Sequence, residues 1–420
     1  MSDLPPGWVD ATLGEAGDYL NGRGFKKSEW RESGRPIIRI QNLTGSGDHY
    51  NYFDGEAEER YIARDGDLLV SWAATLGVFV WRGPEAVVNQ HIFKVESRID
   101  QDFLRYLLLS TLGALQRQTH GSGMVHITKS RFDETPVALP PLNEQRRIVA
   151  AIEEQLSRLD AANASLAAAL HRVEVLRRSA LSVALPDTGP VQTLSDVATV
   201  VSGQTPKGLK TSSEGPIPYF KVGDMNAADG HHMSMAREYV TEAQAAAARL
   251  RVHPPGTVIF PKRGGAIATN KKRVLVVPAA LDLNTMAVIP GDNLESGYLY
   301  VYFETIDLAA LSDGSNVPQI NHGDIGPLLI PVPSLEEQRR IVARVEEQLS
   351  AIEALRAGIE RAQRRSGSLR RAVLERAFRG ELVPQDPLDE PADVLLTRIR
   401  AKRAAREVAT PKPRGGRRPE

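Results

Sequence analysis

The sequence predicts a duplicated α/β (α+β) chain in which two globular domains are joined by two long antiparallel coiled-coil helices with pseudo-two-fold symmetry. Three observations carry that expectation: an internal repeat at a fixed offset, β-rich segments that diverge between the copies, and a long apolar stripe at helical spacing after each segment.

The repeat is the strongest signal. Leu142-Asn143-Glu144-Gln145-Arg146-Arg147-Ile148 recurs as Leu335-Glu336-Glu337-Gln338-Arg339-Arg340-Ile341, an offset of 193 residues. Gly121-Ser122 and Ile127 match Gly314-Ser315 and Ile320 at the same offset. Near the start of each copy, Thr12 to Ala16 resembles Thr193 to Val197 at an offset of 181, so the second copy holds about 12 extra residues in its middle. So long a period means a duplicated domain-plus-helix module, not a solenoid. The ends of the modules agree and the middles diverge; Ile37 to Leu43 and Ile217 to Gly223 align only as patterns.

The divergent parts read as β-rich. Ile37 to Leu43, Asp67 to Val80, Val87 to Val95, Val258 to Phe260 and Val274 to Val277 are short branched or aromatic runs punctuated by turn formers. Phe103 to Leu115 and Leu299 to Leu311 read as helices. Each module then ends in a Pro-marked strand, Pro136 to Pro141 or Ile330 to Pro333, and a long helix for which Asn143 and Ser334 are the expected N-caps. The first helix runs from about Leu142 to Leu185, with Ile148, Ile152, Leu156, Leu159, Leu166, Leu170 and Val173 in its stripe and Asn163 in the seam. The second carries Ile341, Val345, Leu349, Ile352, Ile359 and Leu369. From Lys402 onward a basic, Pro/Gly-rich, disordered tail is expected.

Composition narrows the chemistry. The chain has 420 residues, 42% hydrophobic and 25% charged, enough for several cores. Lys+Arg and Asp+Glu are both 52, which argues against a uniformly basic binder but not against local basic clefts. The chain has no Cys, so disulfides, zinc–thiolate sites, iron–sulfur clusters and Cys nucleophiles are excluded. The apolar run Leu68 to Trp81 is shorter than the roughly 20 residues a membrane span takes. The N-terminus lacks the features of a signal peptide, so a soluble cytoplasmic protein is expected. No Gly-Lys pair marks a phosphate-binding loop, no Asn/Asp-Pro-Pro-Tyr/Phe marks an amino-methyltransferase, and no Glu-x-Lys marks a common nuclease core. His231-His232 has no third ligand at helical spacing, and Glu153-Glu154 lies on an outer helix face. No catalytic constellation and no metal site are expected.

Leu139 to Ala150 and Val332 to Ala343, a Pro-Pro-Leu-x-Glu-Gln-Arg-Arg-Ile helix opening that occurs twice, resemble the specificity subunit of type I restriction–modification systems. Trp8, the Gly-Ser pairs and Phe378-Arg379-Gly380-Glu381-Leu382 support the match, which covers about residues 8 to 384; Ser334 departs from it where the first copy has Pro141. The resemblance implies target-recognition domains at residues 1–137 and 188–331, conserved spacer helices at 138–187 and 332–384, and a C-terminal segment at 385–420. It implies a non-catalytic subunit that recognises a bipartite site on double-stranded DNA and directs methylation and restriction by partners. Those partners would be two methylation subunits, with restriction subunits attached through the methylation core. S-adenosylmethionine and ATP/Mg would belong to them, and this chain would bind no cofactor. A specificity protein of another DNA-modification or defence system, or a coiled-coil adaptor without DNA affinity, remains as an alternative.

Phosphate affinity comes from Lys and Arg, and base specificity from Arg, Lys, Asn and Gln. In the first domain the candidates are Arg23, Lys26, Lys27, Arg39, Gln41, Asn42, Asn89 and Gln90. In the second they are Lys207, Lys210, Lys221, Lys262, Arg263, Lys271, Lys272 and Arg273, with Pro261 to Gly265 the most promising loop. Lys129 and Arg131, just past the first Gly-Ser pair, are further phosphate candidates.

Overall fold

A computed structural model describes residues 4–73, 75–118, 128–186, 190–228 and 230–409. The chain forms two compact units, Met1–Ser165 with Ala362–Glu420, and Leu166–Arg361. Both follow one plan.

In the first unit, strand Val9–Thr12 pairs antiparallel with Pro136–Leu139 and ties the beginning of the globular part to its end. Between them lies an antiparallel sheet in the order Gly17–Asn21, Ile92–Ser97, Leu68–Ser71, Gly77–Val80. A smaller sheet holds Arg35–Ile38 parallel to Ala86–Val88 at its centre. The unbroken apolar run Leu68-Leu69-Val70 suits a strand covered on both faces. Leu68 and Val70 join a core with Phe103, Leu139 and Ile148, whereas Leu69 packs with Ile38, Trp81 and Val88.

The second unit repeats this. Val191–Thr193 pairs with Leu329–Pro331. Its larger sheet runs Ala198–Ser202, Thr285–Pro290, Val258–Pro261, Arg273–Leu275, with the short strand His232–Met233 added. Ile217–Phe220 lies parallel to Ala279–Leu281. Val258 and Phe260 face one core and Ile259 the other.

The repeated Gln explains the repeated motif. Gln145 is fully buried; its amide donates to Pro140 O (2.9 Å) and its Oε1 accepts from Asp100 N (3.0 Å). Gln338 donates to Pro333 O and Asn293 O and accepts from Glu295 N. In both units one side chain fastens the long helix to its entering strand and to the loop before an earlier helix, Gln101–Gln118 in the first and Ser296–Thr305 in the second. Leaving these donors and acceptors unpaired in the interior would cost about 1–3 kcal/mol each.

The long helices span Leu142–Ser182 and Leu335–Phe378. Ser334 caps the second, as expected, its Oγ accepting from Glu337 N. Asn143 does not cap the first: that helix begins one residue earlier, and Pro141 stands where Ser334 stands. Within the first unit Gln385 meets Glu144 and Arg370 meets Asp160; within the second Arg356 meets Glu174 and Arg344 meets Ala184 O. Gln385 follows the second helix and Ala184 the first; from the Asp160–Arg370 pair to the Glu174–Arg356 pair the partner number falls as the first helix advances, so the helices pack antiparallel. Ile148 and Ile152 are fully buried, and Leu156, Val373 and Leu374 are half-buried against the same core. Leu369 is not in the stripe. It is 45% exposed, and the buried position is Ser366, seven residues after Ile359 and so nearly two turns on along the same face. Ile152→Ala should cost about 2–4 kcal/mol, read as a lower denaturation midpoint at unchanged m; a loss below about 1 kcal/mol would refute closed packing there.

Three further expectations are corrected. The Ile37 to Leu43 run is a strand only to Ile38 and then a helical turn, Ile40–Thr44. Asn42 makes the turn: its Oδ1 accepts from Arg39 N and its Nδ2 donates to Gly47 O and His49 O. The helix expected over Leu299 to Leu311 is Ser296–Thr305, started by Glu295 accepting from Tyr298 N. The tail is ordered beyond Lys402. Helix Ala392–Ala409 buries Ala392, Leu396 and Ile399 in the first core, Ala392 N donates to Gly7 O (3.0 Å), and Arg400 pairs with Glu15 (2.8 Å). Residues 410–420 lie outside the described residues, as do Gly121, Ser122 and Ile127. Among the described residues no helix is long and apolar enough to cross a membrane.

Candidate nucleic-acid interface

In each unit four strand ends come to one rim. In the first, Gly22 N donates to Ile92 O, Arg23 N to Val88 O, Asn89 N to Ile38 O and Trp72 N to His91 O. In the second, Gly203 N donates to Thr285 O, Gln204 N to Leu281 O, Asp282 N to Phe220 O and Lys262 N to Asn284 O. The backbones therefore match bond for bond. The glycines are required by close approach: a Cβ on Gly22 would fall 2.2 Å from Asn89 O, and one on Gly203 would fall 2.0 Å from Asp282 O. On this common frame the side chains differ. Arg23 corresponds to Gln204, Asn89 to Asp282, His91 to Asn284, Arg39 to Lys221, and Trp72 to Lys262.

Of the sequence candidates, Arg23, Asn89 and Lys262 make the rim bonds, Arg39, Gln90, Lys221 and Arg263 are sequence neighbours of residues in those bonds, and the candidates differ in freedom. Lys26, Lys27, Gln41, Gln90, Lys207, Lys210 and Arg263 are exposed, as are Lys129 and Arg131 elsewhere in the first unit. Lys129 is paired with Asp133. Arg23 is clamped by Glu29 and lies over the rings of both Phe25 and Phe53, each centroid 4.9 Å away, and Arg39 lies over Trp30 at 5.4 Å. Asn42 is consumed by its turn. Lys221 pairs with Glu238, whose carboxylate raises the lysine and is itself lowered by it. Lys271 bonds Asn226. Arg273 donates to Met225 O and Lys272 O, and so serves the backbone.

Lys272 is a correction. It is 1% exposed, and its ammonium donates to Asn270 Oδ1 (2.9 Å) and Ile306 O (2.7 Å), so it cannot reach a phosphate. Burial pushes it down to about 8. The unfolded chain holds this proton up to about pH 10.5, whereas the folded chain releases it from about pH 8. Unfolding free energy should therefore rise across that window, by on the order of 3 kcal/mol. Subtracting the Lys272→Met stability–pH profile isolates the rise; parallel profiles would refute it.

Around Lys262 the second rim holds a polar set the sequence did not single out. Lys262 Nζ donates to Ser202 Oγ (2.8 Å), and Gln319 donates to Asn321 Oδ1 (2.7 Å). The repeated Gly314-Ser315 loop explains their proximity. Gly264 N donates to Pro318 O, Ile320 N donates to Lys262 O, and Ile320 is buried, so the loop is pinned beside the rim. Trp72 and His91 were also missed, since aromatic residues inside an apolar run read as core. The rings lie 5.7 Å apart, and Trp72 also stacks on Phe93. His231, in contrast, is stacked on Tyr300 at 4.2 Å and held down to about 4 by burial. Among the described residues no group of three or more potential ligands could hold a metal ion.

The same duplication appears in comparison with known proteins. A family model described as the type I restriction modification DNA specificity domain matches residues 5–172 and again 186–361. The specificity subunit of the type I restriction enzyme EcoBI of Escherichia coli is 24% identical, over 95% of this chain and 93% of that protein. The MjaVIII specificity subunit of Methanocaldococcus jannaschii is 22% identical, over 84% and 88%. Among solved structures, a chain from a study of type I R-M complex assembly and conformational transition superposes with a TM-score of 0.75 at 23% identity, covering 91% of this chain and all of that one. The HsdS subunit of Thermoanaerobacter tengcongensis gives 0.55 at 24%, over 90% and 98%. With both copies matched and most of the length covered, the chain belongs to the type I restriction–modification DNA specificity family.

Proposed function

We infer that this chain is the DNA-reading subunit of a type I restriction–modification system, and that it recognises a bipartite target and leaves the chemistry to its partners. The observation that carries this is the pair of rims: identical backbone bonding, different side chains. That is the arrangement expected of two readers built on one scaffold for unlike half-sites. Exposed Lys26, Lys27, Lys207, Lys210 and Arg263 suit phosphates, and Asn89, Gln90, Gln204 and Lys262 suit base edges.

The recognition domains are residues 1–137 and 188–331, and the spacer segments 138–187 and 332–384 contain the long helices Leu142–Ser182 and Leu335–Phe378. The duplicated module supports two methylation subunits, one per copy, with restriction subunits attached through them. S-adenosylmethionine and ATP/Mg are then ligands of those partners, and the complex works on DNA in the cytoplasm. Co-expression with methylation subunits and sequencing of methylated adenines tests the reading. A two-part site with a fixed gap is expected; absence of sequence-dependent methylation, with an assembled complex, would refute it.

A further inference from the structure

The side chain that follows the middle rim strand is Trp72 in the first unit and Lys262 in the second. Both backbones are held alike, Trp72 N on His91 O and Lys262 N on Asn284 O, after strands Leu68–Ser71 and Val258–Pro261 in matching register. Both side chains are half-exposed at the rim. Neither is loose: Ser202 Oγ holds the Lys262 ammonium, and Phe93 and His91 hold the Trp72 ring. A fixed backbone position with a fixed but chemically opposite side chain is suited to discriminating between base pairs, because the rest of the reader need not move.

We propose that residues 72 and 262 are equivalent specificity-determining positions, at which Lys262 selects a guanine in one half-site and Trp72 selects an A·T pair in the other. The proposal rests on the DNA-reading function above. A lysine ammonium matches the N7 and O6 acceptors of guanine in the major groove, and no other base offers two acceptors there. An indole offers apolar surface, and the base-pair feature that rewards it is the thymine methyl group.

The test is methylation-site sequencing of the full chain co-expressed with its methylation subunits. Lys262→Met keeps the stem and removes the ammonium. It should lower the preference for guanine at one position of one half-site by about tenfold or more, with the other half-site and the gap unchanged. Lys262→Arg should retain guanine, since a guanidinium presents donors to the same acceptors. Trp72→Lys should convert one A·T position of the other half-site to G·C. Should Lys262→Met fail to accumulate, Lys262→Gln and Trp72→Lys carry the same readout on their own. Methylation by Lys262→Met at an unchanged site, or relaxation of both half-sites together, would overturn the proposal. A wild-type complex that methylates no two-part site would instead overturn the functional reading.

Discussion

Replacing residues 13–137 with the corresponding segment of another specificity subunit changes one half of the methylated site and leaves the other half and the gap as they were. The segment contains the whole first rim, from Gly22 to Trp72 to His91, and none of the second. It stops before the Gln145 anchor, so the incoming segment meets the same helix opening. Its edges fall on the pairing of Val9–Thr12 with Pro136–Leu139, a ladder made by backbone atoms that tolerates a change of side chains. Sequencing of methylated positions gives the answer directly. A new base requirement in both halves, or a changed gap, would refute the separation of the two readers.

The second large effect concerns the gap. Each long helix contributes one end to each unit, the division falling near Ser165 in the first helix and Arg361 in the second. Four residues inserted after Ala168, matched by four after Ala362, keep the antiparallel pairing within each unit and lengthen both helices by about one turn. At 1.5 Å per residue this adds roughly 6 Å, close to two base-pair steps of about 3.4 Å. The methylated site should keep both half-sites and gain about two base pairs between them. An unchanged gap would mean that the helices do not set it; altered half-site bases would mean that reading and spacing are not separable.

The scaffold was legible in the sequence because duplication writes the same constraint twice. Gln145 and Gln338 stand out as repeated residues, and burial explains why they repeat. The strands were legible from short branched runs, and the helix stripe from its spacing until Leu369, where a hydrophobic residue near the right place lies off the face. The rim was half legible. Lys262 stands beside a Gly-rich turn and Gln90 is one of the side-chain types that read bases, and both were found that way. Trp72 and His91 were not, because nothing local distinguishes an aromatic at a strand end from one in the core; only pairing across the sheet does. Lys272 fails in the opposite sense. A run of Lys271, Lys272 and Arg273 reads as a basic patch, yet entry into a strand sends alternate side chains to opposite faces and buries the middle one. Asn42 likewise reads as a base reader, but Asn can bond its own backbone and here it does.

The C-terminal helix has a consequence for the order in which the chain acquires structure on the ribosome. The second unit is contiguous, Leu166–Arg361, and can complete its core as soon as that stretch has emerged. The first unit is synthesised earlier yet finishes later: Leu13, Leu104 and Ile148 share a core with Ala377, Leu396 and Ile399. Until those last residues arrive, the nascent amino-terminal half exposes apolar surface that only its own distant end can cover. The protein made first thus becomes native second, and a ribosome stalled before residue 377 would release a chain with one finished reader and one unfinished.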